Sequence, residues 1–374
     1  LVFSLANKAN SYRLSGDGSM SNISENGLNT SGFASRLNFQ KTTGKVRYSL
    51  RHRFADDKYD KNDLGFQRTN NYNDFTGNVS YRIFEPTNHF NFFRVSVFAG
   101  HFRRFDPSVT TSNYTEIDIF ATNLKQISYG LELGTNIGDR VDFFEPRTEG
   151  RFWKRNGQYR SEGYFSSDFR KRLAFEMSID YRGRYGTNEN SYGIGVGPRF
   201  RVNDKLEFAY GFSLDQSFNQ PGYVDTLDDE SIIFGVRQNN QVENSFSSKY
   251  NFNDKSSLSL SFRHYWSTVA YQEQFYELGE DGYLSPHPYD EENDLNFNSW
   301  NLDLRYVWQF TRGSELVALY RNSIQSGDDR SDLSFGENLS DLLEQPNGHL
   351  LSIKLIYFLD YNNLKRWVKK DQSS

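Results

Sequence analysis

His264, in the run Phe262-Arg263-His264-Tyr265-Trp266-Ser267, is the side chain in this sequence best suited to catalysis. An imidazole beside a serine hydroxyl makes the working pair of an acyl-transfer hydrolase, and such a pair could act from a strand that faces lipid. Strand alternation places His264 on the face of Leu260 and Phe262, with Ser259 and Ser267 on the opposite one. A nucleophile would have to come from a neighbouring strand, and an interfacial histidine without catalytic duty is the competing reading. The other histidines, His52, His89, His101, His287 and His349, show no metal-ligand spacing. There is no GxSxG, HExxH, phosphate-loop or dinucleotide-binding glycine motif and no thiol, so no catalytic residue is assigned.

The acidic stretch 273–294 suggests a second chemistry. Glu280, Asp281, Asp290, Glu291 and Glu292 are hard oxygen ligands at a density that suits Ca²⁺, or divalent ions shared with lipopolysaccharide phosphates. The turn Glu280-Asp281-Gly282 lacks the full spacing of an EF-hand, and a solvated acidic loop explains the same composition. A third chemistry is that of a charged wall. Arg47, Arg51, Arg53, Arg182, Arg263 and Arg305 alternate with apolar residues, as do Glu176, Asp180, Glu207, Asp215 and Asp303. They would line either a water-filled pore that selects solutes or a cross-braced lumen in which they satisfy one another.

Strands are needed to position these residues. Leu302, Leu304, Tyr306, Trp308 and Phe310 alternate with Asn301, Asp303, Arg305 and Gln309, which gives one greasy and one polar face. Runs of this kind, broken by turn residues, predict seventeen strands: about 1–5, 11–23, 31–43, 46–57, 71–87, 91–106, 112–124, 127–140, 154–168, 172–187, 189–203, 205–219, 231–253, 255–272, 295–310, 314–326 and 348–361. The connections sort by length. Eight are short, and seven of those carry Lys or Arg; the long ones include 58–70, 141–153, 220–230, 273–294 and 327–347, with a tight exception at Gly186-Thr187-Asn188. Tyr306, Trp308, Phe310, Tyr357 and Tyr361 gather near the short turns as an aromatic rim. Long amphipathic strands with such a rim are the signature of an outer-membrane β-barrel, with short turns in the periplasm and long loops outside.

Two smaller features complete the pattern. Leu339, Leu342 and Leu343, following a capping Asn or Ser, predict a short amphipathic helix packed over the rim. The tail 362–374 is basic, carries Trp367 and is expected on the periplasmic side, at the inner interface of the outer membrane. An odd strand count with a descending first run implies further strands upstream of Leu1.

Composition agrees. Among 374 residues there are 33 Phe and 24 Tyr, and the net charge is −5. No run approaches the ~18 apolar residues of a transmembrane helix, which excludes a helical membrane protein. A barrel stays open, because alternation hides its lipid-facing half from any hydropathy average; a large soluble β-sandwich or propeller is the alternative.

From about Ser231 onward, Phe234-Gly235-Val236-Arg237-Gln238, Phe262 to Ser267, Tyr276-Glu277-Leu278, Asn296 to Asp303, Gly313-Ser314-Glu315-Leu316 and Tyr357-Phe358-Leu359-Asp360-Tyr361 form a recognisable set. They resemble the C-terminal barrel of Bacteroidota outer-membrane proteins labelled domain of unknown function 5916. In that family the barrel usually follows a family-9 carbohydrate-binding domain, which has no counterpart in this sequence, so the resemblance transfers no sugar function. Some members are labelled hydrolases, but the resemblance supplies no catalytic motif.

The expected protein is an all-β, antiparallel up-and-down transmembrane barrel over residues 1–361, in the bacterial outer membrane. Its expected partners are membrane lipid, lipopolysaccharide and other envelope proteins, not nucleic acid, and no cofactor is required. The expected role is a transport pore or the membrane-embedded subunit of an envelope assembly. A hydrolase, or an anchor for a carbohydrate-binding-like domain, is the alternative.

Overall fold

A computed structural model describes residues 1–64, 66 and 69–359, apart from the side chain of Leu64. Tyr361 and the 362–374 tail lie outside the described residues. Seventeen antiparallel strands, each hydrogen-bonded to its neighbours in sequence, make one up-and-down barrel wall running from Val2–Ala6 to Asn347–Ile356. These two strands are the edges of the described sheet. Every predicted strand is present. Beside the wall lie a small ribbon pairing Arg140–Asp142 with Trp153–Arg155, a short strand Leu284–Pro286, and one helix, Phe335–Glu344. None of the described helices is long and apolar enough to cross a membrane.

The faces separate as alternation requires. In the strand Leu173–Arg184, the outward Leu173, Phe175, Met177, Ile179 and Tyr181 are 41–65% exposed, while Ala174 is buried. A water-soluble sheet would cover such a face, so lipid is the medium that fits it. On Leu206–Thr226 the outward apolar positions run from Leu206 to Leu214, about eight residue steps or ~27 Å of strand. Tilted by ~40°, that spans ~20 Å, close to the ~25 Å apolar band of a membrane barrel.

The turns at one end share a local device. In Asn123-Leu124-Lys125, Asn203-Asp204-Lys205 and Asn253-Asp254-Lys255 the asparagine Oδ1 accepts the lysine N–H, at 2.9, 2.8 and 2.8 Å. The side chain imitates a backbone turn, which is why Asn recurs there. Asp168 does the same for the Arg170 N–H at 3.0 Å and holds its guanidinium as well, at 2.9 Å through both oxygens. That grip lowers the Asp168 carboxyl to about 2. Because the folded value lies below the ~3.9 of an unfolded Asp, its stabilisation is present above about pH 4 and disappears as pH falls toward 2. NMR titration of Asp168 should therefore give a midpoint near 2, and a midpoint near 4 would show that the turn does not hold it.

At the other end strand height varies. Three neighbouring strands, Leu206–Thr226, Ile232–Asn253 and Ser256–Leu278, are 21, 22 and 23 residues long, about twice what a crossing takes. The segment 220–230, expected as a loop, is therefore strand up to Thr226, and the connection shrinks to five residues. Asn26 (φ 51°) and Gly27 (φ 80°) make another tight hairpin at this end. The connection between Arg104 and Val109 is also short, so length alone does not mark the two ends. Next to the tall strands, Leu173–Arg184 and Asn190–Arg201 are joined by the tight turn at 185–189, which leaves a notch in the rim.

Candidate functional site

The inner wall is laced with ion pairs across neighbouring strands. Arg36 meets Asp17 at 2.7 Å, Arg53 meets Asp74 at 2.7 Å, Arg94 meets Asp118 at 2.6 Å and Arg263 meets Glu243 at 2.6 Å. Arg321 grips Asp303 through two nitrogens, both at 2.6 Å, and Arg160 pairs with Glu132. Among the predicted lumen residues, Asp180 lies 3.5 Å from Arg182, and Glu207 lies 3.4 Å from Arg201 and 3.8 Å from Arg199. Asp180 and Asp215 both crowd Gly193, where any Cβ would collide with their carboxylates. Arg47 bonds the Gly44 carbonyl at 3.2 Å and lies over Phe84, and Glu176 packs beside Gly197. The Arg51 and Arg305 side chains have no hydrogen-bond or ion-pair partner among the described residues. Most of these pairs are partly exposed and worth ~0–1 kcal/mol each, so they make the wall polar without holding it together. Their partners Asp17, Asp74, Asp118, Glu243 and Arg321 had the same alternation signal in sequence and were not singled out.

Four of the aromatics expected at the rim lie among the described residues; Tyr361 does not. Tyr306 packs on Phe252, Trp308 on Phe310 and Phe310 on Tyr357, with ring centroids at 6.2, 5.7 and 6.2 Å.

The mouth holds what the sequence did not disclose. The connection 137–157 crosses the notch above the short hairpin and fastens to the tall strands. Trp153, 4% exposed, packs on Ile232, Phe234 and Leu278, its ring 5.0 Å from that of Phe234. Arg151 donates to the Leu278 carbonyl at 2.6 Å, and the Lys154 N–H to that of Gly282 at 2.8 Å. Glu145 accepts from the Tyr223 N–H at 3.0 Å and lies 3.6 Å from Arg237. Gly282 is required twice: its φ of +84° is left-handed, and a Cβ there would sit 2.5 Å from the Phe152 ring. The acidic run contributes little to this. Asp281 Oδ1 accepts the Tyr283 N–H of its own turn at 3.1 Å, and Glu291 takes the Tyr289 hydroxyl at 3.3 Å. Among the described residues no three His, Asp or Glu side chains gather around a possible metal position.

His264 points outward as alternation requires, but it is covered. It is 2% exposed, and its ring neighbours are Phe335 at 5.5 Å and Trp300 at 6.5 Å. The cover is the helix Phe335–Glu344, capped by Ser334 and Glu337 in a reciprocal box. It lies against the outer wall on a polar patch. Asn338 accepts from Asn298 and, at 3.3 Å, from Asn296, and donates back to Asn296 Oδ1 at 3.1 Å, while Trp266 Nε1 donates to Asn296 at 3.0 Å. No serine among the described residues is hydrogen-bonded to His264, so the hydrolase pair does not assemble there.

No curated protein matches the chain in sequence. Among solved structures the chain is similar to one titled copper transporter OprC, with 9% identity and a TM-score of 0.35 over 86% of this chain. The match spans 62% of that chain's length. A family model matches residues 1–368, far more than the segment from Ser231 that carries the motifs, and the chain belongs to that family, Domain of unknown function (DUF5916).

Proposed function

We propose that the protein is a bacterial outer-membrane barrel that passes small polar solutes through a charged, water-filled lumen. The supporting observation is the exposure of the inner wall: the side chains of Arg36, Arg182, Arg263 and Arg321 are 50–59% exposed although they stand on the concave, polar face. Half-solvated guanidiniums there require water beside them, since dry burial of charge is costly. A wall of at least seventeen strands encloses room for such a channel. Balanced pairs imply weak charge selectivity. Arg321→Gln, which leaves Asp303 unpaired, should shift the reversal potential in a salt gradient toward cations. The change in permeability ratio should stay below about fivefold, because one exposed pair is worth at most ~1 kcal/mol. Swelling of liposomes carrying the protein in isosmotic sugar tests passage itself. Liposomes that do not swell would sink the pore and favour the embedded subunit of an envelope assembly.

A further inference from the structure

Where the 137–157 connection meets the notch, four arginines converge on a small cleft of about 170 Å³. Arg140 and Arg155 come from the connection, Arg182 and Arg184 from the inner face of the short hairpin. Glu189 is shared between Arg155 and Arg184, at 2.7 Å from each. The Arg155 and Arg184 side chains are only 13% and 6% exposed, and the buried Nε of Arg155 has no partner. Arg140 donates to the neutral Gln158 Oε1 at 3.3 Å. Arg182 has Asp180 at 3.5 Å. Asp142 acts on Arg140 through space, but its Oδ1 accepts the Phe144 and Glu145 N–H groups of its own turn. Four guanidiniums thus face Glu189, Asp180 and Asp142, and Asp215 also acts on Arg182, so Arg140 is the guanidinium of the cleft whose hydrogen bond goes to a neutral group. Burial first, and then the neighbouring Arg184, lower the Arg140 and Arg155 guanidinium values, although Glu189 pulls Arg155 the other way.

We infer that this cleft binds the oxyanion group of a small solute, a carboxylate or a phosphate. An anion accepts from nitrogens that no protein atom fills, and planar guanidinium forks suit both groups. At ~30 Å³ per water molecule, the cleft has room for one such group with a few waters. Because it lies on the concave face, its ligand reaches it from the lumen and not from the lipid. Occupancy does not depend on whether the barrel conducts, so a silent barrel leaves the site standing.

Calorimetric titration of the whole chain in neutral detergent with inorganic phosphate, and separately with acetate, tests the site. Saturable binding of at least one of the two, at one site per chain, is expected. Arg140→Gln should weaken it about tenfold or more, since charge-assisted hydrogen bonds are lost. Arg182→Gln, at a half-exposed position that the fold tolerates, should weaken it in the same direction. Arg36→Gln, on a distant part of the wall, should leave it unchanged. Absence of saturable binding of both anions up to on the order of 10 mM would overturn the inference. So would equal affinities in the Arg140→Gln and Arg36→Gln proteins.

Discussion

Replacing Trp153 with alanine is expected to release the 137–157 connection from the barrel mouth while the wall stays intact. Trp153 is the one large side chain of the connection buried among Ile232, Phe234 and Leu278, and Arg155 stacks on it at 4.2 Å. Truncating a buried Trp costs ~3–5 kcal/mol. The transmembrane strands do not depend on that packing, so the loss should fall on the connection. Hydrogen exchange at the Lys154 amide, which reports the bond to Gly282, should accelerate about a hundredfold or more. Protection of the strands Leu173–Arg184 and Leu206–Thr226 below the mouth should hold. Unchanged exchange at Lys154, or equal loss of protection everywhere, would show that Trp153 is not the fastening.

Asn338→Leu should lift the helix from the outer wall. The asparagine bonds Asn296 and Asn298, both buried; with a leucine there Asn296 keeps Asp328 and Trp266, but the Asn298 amide loses the acceptor it has, next to His264. An orphaned buried amide costs ~1–3 kcal/mol, more than the added apolar contact returns. The readout is chemical. His264, 2% exposed in the native protein, should resist acylation by diethyl pyrocarbonate and become reactive in the variant. A histidine that stays protected would mean that the helix is held by its apolar side chains alone.

Strand number and facing were legible because a lipid-facing wall has to repeat its alternation in every strand. Strand height was not. Gln220-Pro221-Gly222 carries turn residues, yet Pro221 pairs with Val236 just past a bulge, and Asn219 at φ 52° supplies the kink. Proline and glycine at a bulge look in sequence like proline and glycine in a loop. The connection over the notch was hidden for another reason: Trp153 meets Phe234 across about eighty residues of chain, and no local period records that contact. The helix was legible from its cap and leucines, but its place was not: expected over the rim, it lies against the outer wall. The clue was Asn296, Asn298 and His264 at outward positions of strands otherwise apolar there, a polar patch that lipid would not tolerate uncovered. Arg182 was singled out in sequence by its alternation, whereas the gathering of Arg140, Arg155 and Arg184 around Glu189 arises only when the connection folds back.

Single-channel recording in planar bilayers tests the central claim most directly. Purified protein should give steady, ohmic open-channel current at neutral pH, and Arg321→Gln should turn its weak selectivity toward cations. Bilayers that stay silent with correctly folded, heat-modifiable barrel inserted would contradict the water-filled lumen and make the protein a filled scaffold.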